Sequence, residues 1–172
     1  LCTTNGLKIY NISTGEIKDA SILQRTPVQS ITKDANNNLW LAYDNNHLMK
    51  WMPSRNITNE ISNIDFFLNK QTTVYGMIED ENQVLWMATS NTGLIKLDVK
   101  RPKIHNLRVE NPNIPKNYIT HDFCAINADE VWAACGIYGI LKINTKTHES
   151  EHMNIPERVT HSLYVRRNGE II

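Results

Sequence analysis

Long apolar runs are missing from this sequence. Val84–Ala88 is as long an uninterrupted apolar stretch as it contains, against the ~20 residues a helix needs to cross a bilayer. An excess of charge is missing too: 18 basic and 18 acidic side chains cancel, and the pI is near 7.2. Nucleic acids and anionic membranes recruit basic patches, so neither is expected as a partner of this chain. Cysteine is scarce and odd in number. Cys2, Cys124 and Cys135 give neither a disulfide framework nor the paired C-x-x-C of a zinc site. They are expected to be small core residues, although a Cys124–Cys135 bridge is conceivable in an exported protein. No basic n-region followed by an apolar h-region opens the chain, and its first residue is Leu1 rather than Met. The expectation is a piece of a longer protein. Sustained 3.6-residue periodicity is also absent, so no amphipathic helix is expected. What remains is 172 residues, 41% hydrophobic and 21% charged, material for roughly one globular domain.

The informative presence is a repeat. Trp40, Trp86 and Trp132 recur at a spacing of 46 residues (86 − 40 and 132 − 86). The same offset links Ala42, Ala88 and Ala134, and again Lys50, Lys96 and Lys142. Apolar positions follow it, with Ile31, Met77 and Phe123 in one set and Leu48, Leu94 and Ile140 in another. Sliding the 24 positions of Val28–Trp51 onto Val74–Leu97 leaves nine identities, where average composition gives about one or two by chance. A further copy is split between the ends. Val159–Leu163 repeats Ile119–Phe123, and Leu1–Tyr10 parallels Met87–Leu97.

Within a unit the pattern is strand, turn, strand, turn. Ser30–Lys33 leads into the Asn/Asp-rich segment 34–38, whose side chains bond their own main chain and tolerate left-handed backbone. Leu39–Tyr43 reads as a buried strand and Leu48–Met52 as a third, with Asp44–His47 turning between them, and a fourth is expected at Ile61–Phe67. Four short strands in about 45 residues define one propeller blade. Both faces of such a blade pack on neighbours, so its central strands must be apolar on both sides. Gly6, Gly93 and Gly139 stand where the second strand turns into the third and are expected at positive φ. His47 replaces glycine there, so that turn must be built differently. The repeated lysine alternates with apolar neighbours and reads as a solvated edge position.

The units Val28–Lys50 and Val74–Asp98, with their shared D-x-N-x-x-L-W-x-A core, resemble the two-component-regulator propeller repeat. The resemblance covers nearly the whole chain. It weakens at 119–143, where Ile126 stands in place of the turn Asp and Ala133-Ala134-Cys135 follows the Trp, and Ile172 stands where a last Trp belongs. It implies an all-β β-propeller segment of about four blades within a larger, seven-bladed ring. Residues 1–24 would be a partial blade, 25–70, 71–116 and 117–157 blades, and 158–172 the start of the next. It also implies a parent protein anchored in the inner membrane, whose periplasmic region senses an oligosaccharide and signals through a histidine kinase. The partners implied are the remaining blades, an immunoglobulin-like domain and a second copy of the parent. No cofactor is implied, and no catalysis by this segment.

His121 and His161 occupy one repeat position, with Gln29 and Tyr75 their equivalents. The first strand of a blade lies innermost, so these side chains are expected to fringe the channel where propellers bind ligands. Two imidazoles there suggest a metal, but no carboxylate or third His joins them, and a polar lining is expected instead. His148-x-x-x-His152 has helical zinc spacing in a strand-and-turn context and reads as surface. Asp34-x-Asn36-x-Asn38 imitates the start of a calcium loop but lacks the Gly and Glu that complete one. The ligand-contacting surface is expected in loops carrying Arg25, Asn46, His47, Gln71, Asn91, Tyr138 and Arg158, together with His121 and His161. Planar amide, guanidinium and aromatic groups suit sugar hydroxyls and ring faces. No G-x-S-x-G or phosphate-cradling loop occurs. The sequons at Asn11 and Asn56 matter only in a eukaryotic secreted protein. Competing readings are a propeller-based lyase or hydrolase acting on carbohydrate, and a free-standing protein-binding scaffold.

Overall fold

The computed structural model describes residues 1–44, 47–61, 72–80, 82–100, 103–106, 118–127, 129–147, 149–153, 155 and 159–172. Strands, turns and irregular connections account for all of them, in two compact units, Leu1–Gln71 and Thr72–Ile172.

In the first unit, β1 (Cys2–Thr3), β2 (Gly6–Tyr10) and β3 (Ile17–Gln24) form a three-stranded antiparallel sheet in chain order. A four-stranded sheet follows, β4 (Val28–Lys33), β5 (Leu39–Tyr43), β6 (His47–Met52) and β7 (Ile57–Glu60). The fourth strand therefore comes earlier than the expected Ile61–Phe67. The amides of Arg55 and Asn56 bond the carbonyls of Met52 and Pro53 (3.1 and 3.3 Å), and Asn56 takes φ 52°. The chain doubles back at once, and Ile57 pairs with Met52. Residues 62–67 of that expectation lie outside the described residues. The turn lacking glycine opens with Asp44 at φ 46°, and His47 pairs with Tyr43 as the first residue of β6.

The second unit repeats the meander twice. β8 (Val74–Glu79), β9 (Val84–Thr89), β10 (Leu94–Asp98) and β11 (Lys103–Asn106) make one sheet. β12 (Asp122–Asn127), β13 (Glu130–Ala134), β14 (Ile140–Asn144) and β15 (Ser150–Met153) make the next. Every residue of β9 is buried, as a central strand covered on both faces requires. Trp86, Ala88 and Leu94 share a core cluster with Phe123, Val131, Ala133 and Leu141 of the following sheet. The small Ala133 lets the sheets approach while the indole supplies the bulk of the contact.

Gly93 and Gly139 show why their turns need glycine. Gly93 sits at φ 72°, and a Cβ there would lie 2.6 Å from the Tyr118 ring. Gly139 sits at φ 76°, where a Cβ would meet the Met153 carbonyl oxygen at 2.5 Å.

The repeated lysine is not a solvated edge residue. Lys50 lies on β6, hydrogen-bonded to β5 on one side and β7 on the other, directly opposite Trp40. Its Nζ stands 4.8 Å from the Trp40 ring centroid and 2.7 Å from Asp34 Oδ2. Lys96 and Lys142 sit over Trp86 and Trp132 at 5.4 and 6.0 Å. Each ammonium is held by the negative face of an indole, so an alternating pattern that reads as exposed is in fact a bracket around the core tryptophan.

The Asp34 segment is a turn. Asp34 Oδ1 accepts from the amides of Asn36 and Asn38, both at 2.8 Å, and Oδ2 accepts from Asn38 Nδ2. In the next repeat Asp80 does the same for Asn82 and Val84, and its Oδ2 accepts the Trp86 indole N–H at 2.9 Å. In the third repeat Ile126 replaces this aspartate, and the hairpin shortens so that Asn127 pairs with Glu130.

Candidate functional site

Three repeat-equivalent side chains of the second unit form a ladder. Tyr75 is the outward residue of β8 after buried Val74. His121 precedes β12, its amide fixed to the Ala134 carbonyl (2.9 Å). His161 follows Thr160, which exchanges backbone bonds with Gly136 in both directions at 3.0 Å. The rings of Tyr75 and His121 stack at 5.7 Å and 28°, and His121 meets His161 edge-on at 4.6 Å and 62°. Asp122 braces this arrangement. Its Oδ1 accepts from the Phe123 amide and its Oδ2 from the Leu163 amide of the next repeat. Burial lowers the pKa of His121, and the neighbouring His161 lowers it further, so the neutral imidazole is favoured.

A cavity of about 300 Å³ opens beside His121. Tyr118, Ile119, Ile137, Tyr138 and Val159 supply most of its wall, with Cys135 and Gly136 beneath. Much of its floor is already hydrogen-bonded. Gly136 bonds Thr160 through both N–H and C=O, Cys135 N–H donates to Gly139, and the Tyr138 carbonyl is bonded by His152 Nε2. The Tyr118 hydroxyl accepts from the Leu94 amide (3.4 Å), and the Cys135 thiol donates to the Ala133 carbonyl (3.6 Å).

Of the residues expected to meet a ligand, the structure brings together His121, Tyr138 and His161. Asn91 instead accepts from the hydroxyls of Thr72 and Thr92 (2.7 and 3.1 Å), which ties a turn together. Arg25 and His47 belong to the first unit. Arg25 is exposed in a turn at φ 61°, while His47 stacks on Tyr43 at 5.3 Å with a buried Nδ1 that has no hydrogen-bond partner among the described residues. Asn46, Gln71 and Arg158 lie outside the described residues, as does His148. His152 is half-buried and bonded to backbone rather than lying on the surface. Among the described residues no group of three or more His, Cys, Asp or Glu side chains is arranged to hold a metal.

Cys2, Cys124 and Cys135 are free thiols. Burial first, and Asp122 second, push Cys124 up to about 11, and burial pushes Cys135 up to about 12. Neither is a ready nucleophile near neutral pH.

The sequence reading missed Ile119, Ile137 and Val159. The Gly136-Ile-Tyr-Gly139 turn carried the signal, an apolar residue placed between two glycines where a turn usually spends polar ones.

These antiparallel four-stranded meanders, packed face on face and repeated along the chain, define a β-propeller segment. No protein-family model matches the chain, and no curated protein matches it. Among solved structures it is similar to the extracellular domain of a candidate hybrid two component system from B. thetaiotaomicron. That likeness has TM-score 0.80 and 17% identity, covering 99% of this chain and 22% of that one. It is similar as well to a virginiamycin B lyase from Staphylococcus aureus (TM-score 0.65, 16% identity, 98% of this chain and 62% of that one). A β-propeller domain from Myceliophteria thermophila matches at TM-score 0.69 and 14% identity, over 94% of this chain and 52% of that one. The chain thus spans less than a quarter of the two-component domain it matches.

Proposed function

We propose that this chain is a ligand-sensing propeller segment of a larger extracytoplasmic sensor of the two-component type. The observation that carries the reading is the Tyr75–His121–His161 ladder, built from one repeat position and opening beside a cavity. A strand, a strand edge and a backbone bridge fix those rings, and rigid scaffolds with convergent loop groups are how propellers and similar folds recognise ligands. The likeness to an extracellular two-component domain supports the same reading. The ligand is an oligosaccharide, whose ring faces stack on aromatic side chains. The parent is an inner-membrane histidine kinase that faces the periplasm, and this segment performs no catalysis. Ligand shifts the population of domain orientations that the remaining blades, an immunoglobulin-like domain and a second parent copy transmit.

An oligosaccharide panel titrated calorimetrically into the full chain tests this reading, with the sugars analysed after prolonged incubation. Saturable binding with the sugar recovered intact is the expected result. Cleavage of any bound sugar would transfer the protein to the carbohydrate-active enzymes.

A further inference from the structure

The cavity beside His121 has a chemistry of its own. Its wall is apolar or aromatic at Ile119, Ile137, Val159, Tyr118 and Tyr138. Beneath it the Gly136 backbone, the Cys135 amide and thiol and the Tyr118 hydroxyl are already hydrogen-bonded. Two polar side-chain groups of the lining, the His121 imidazole and the Tyr138 hydroxyl, are there to meet a ligand. His121 Nε2 stands 3.3 Å from where a Cβ on Gly136 would be, so glycine leaves the approach to that nitrogen open.

A bare pyranose fits this poorly. It carries a hydroxyl on most carbons, and each hydroxyl buried without a partner costs about 1–3 kcal/mol. A volume of about 300 Å³ is small for a ligand site but ample for one ring, since a cavity of ~150 Å³ already accepts benzene. Ile137 is 69% exposed and Val159 51% exposed, so two branched apolar side chains stand at the rim in water. A flat apolar ring inserted between them removes that surface from solvent.

We propose that this cavity binds a single aromatic ring bearing one hydrogen-bonding substituent, a phenol-sized group that the His121 imidazole addresses. The inference rests on the ligand-sensing reading of this face and narrows it to a substituent class. The ring arrives either as a free small aromatic or as a substituent on a sugar. In the second case the sugar lies outside the cavity, against the Tyr75–His121–His161 ladder.

The test titrates the full chain with phenol, phenyl glucoside and methyl glucoside, following heat and the NMR signals of the His121 ring. The key variant is Ile137→Asp, whose exposed turn position spares the fold, with Val159→Asp as the second. Phenol and phenyl glucoside are expected to shift the His121 signals, methyl glucoside to leave them in place, and either variant to weaken phenyl binding at least tenfold. Phenol binding as tightly as phenyl glucoside identifies the free aromatic as the source, and a phenyl glucoside preference identifies the substituted sugar. Methyl glucoside moving His121 as strongly as phenyl glucoside would overturn the inference, as would phenyl binding indifferent to both variants. If an oligosaccharide binds the chain with His121 unmoved and phenyl probes do not bind, this inference falls while the sensing reading stands. If nothing binds, both fall.

Discussion

Glu130 Oε1 accepts the indole N–H of Trp132 at 2.6 Å, from a residue two places before it on the same strand. In the preceding repeat the acceptor is Asp80, six residues before Trp86 in the loop that leads into the strand. Ile126 stands where the third repeat should carry that aspartate, and Glu130 takes over, binding Lys142 at 3.3 Å as well. Glu130→Ala should therefore destabilise the second unit by about 1.5–3 kcal/mol, the range for hydrogen bonds to charged groups. Glu149→Ala, at an exposed position, should be near neutral. Urea midpoints at constant m-value make the comparison, and equal midpoints for the two variants would refute the substitution of roles.

Asp34 predicts an acid-labile turn. Burial alone would raise its pKa, but the Lys50 ammonium together with hydrogen bonds from Asn38 and Asn36 outweighs it and holds the carboxyl below its usual value. Its folded pKa is lower than its unfolded one, so its stabilisation is fully present above ~3.9, the ordinary Asp value. That stabilisation is lost as pH falls through the folded value. Asp34→Asn should be less stable than the parent chain at pH 6 and approach it towards pH 2. Denaturation midpoints across that interval decide it, and a gap constant with pH would count against the ion pair.

His121 works through the same linkage. Its folded pKa is lowered, chiefly by burial, so the unfolded chain takes up a proton that the native state resists. Stability should decline as pH drops below ~6.5, the ordinary imidazole value, and stop declining once the folded value is passed. His121→Gln should flatten this limb. His161→Asn should raise the His121 pKa only part of the way, since burial is the larger cause, and NMR titration of the His121 ring reads that directly. No change at all would remove His161 from the account.

Two glycines at similar backbone angles separate strain from collision. Gly93 (φ 72°) faces the Tyr118 ring, whereas Gly169 (φ 83°) has no atom of the described residues within 4 Å of the point a methyl group would occupy. Alanine at 169 should cost only the left-handed penalty, about 1 kcal/mol. Alanine at 93 should cost that plus displacement of a buried tyrosine, for a total of about 2–4 kcal/mol. Thermal unfolding of the two variants orders them, and equal losses would show that Tyr118 yields freely.

The strands of the repeat were legible because Trp40 and Trp86 must be buried and the half-buried Trp132 keeps their place, and that demand writes the same apolar pattern at each copy. The positive-φ turns at Gly6, Gly93 and Gly139 were legible for a similarly local reason. The lysine at 50 was not. Alternation along one strand cannot reveal that the residue opposite, Trp40, offers a ring face for the ammonium. The role of Glu130 escaped because aligning repeats compares positions, whereas the indole N–H needs only an acceptor within reach. The juxtaposition of His121 with His161 followed from their equivalence, but the cavity beside them did not. Its wall comes from apolar loop residues such as Ile137 and Val159, which obey no period and stand outside the polar groups by which recognition surfaces are usually sought.

The handover from Asp80 to Glu130 bears on how tandem near-copies avoid being mistaken for one another during folding. Strands with the same apolar pattern can pair across copies as readily as within them. In the second repeat the acid sits in the β8–β9 turn, six residues ahead of the tryptophan, so the indole is satisfied once that turn closes. In the third, acid and tryptophan travel together on β13, so that strand is complete before any neighbour arrives. Each of these two tryptophans thus carries its acid within its own hairpin, and strands paired across copies gain no indole partner that the correct pairing lacks.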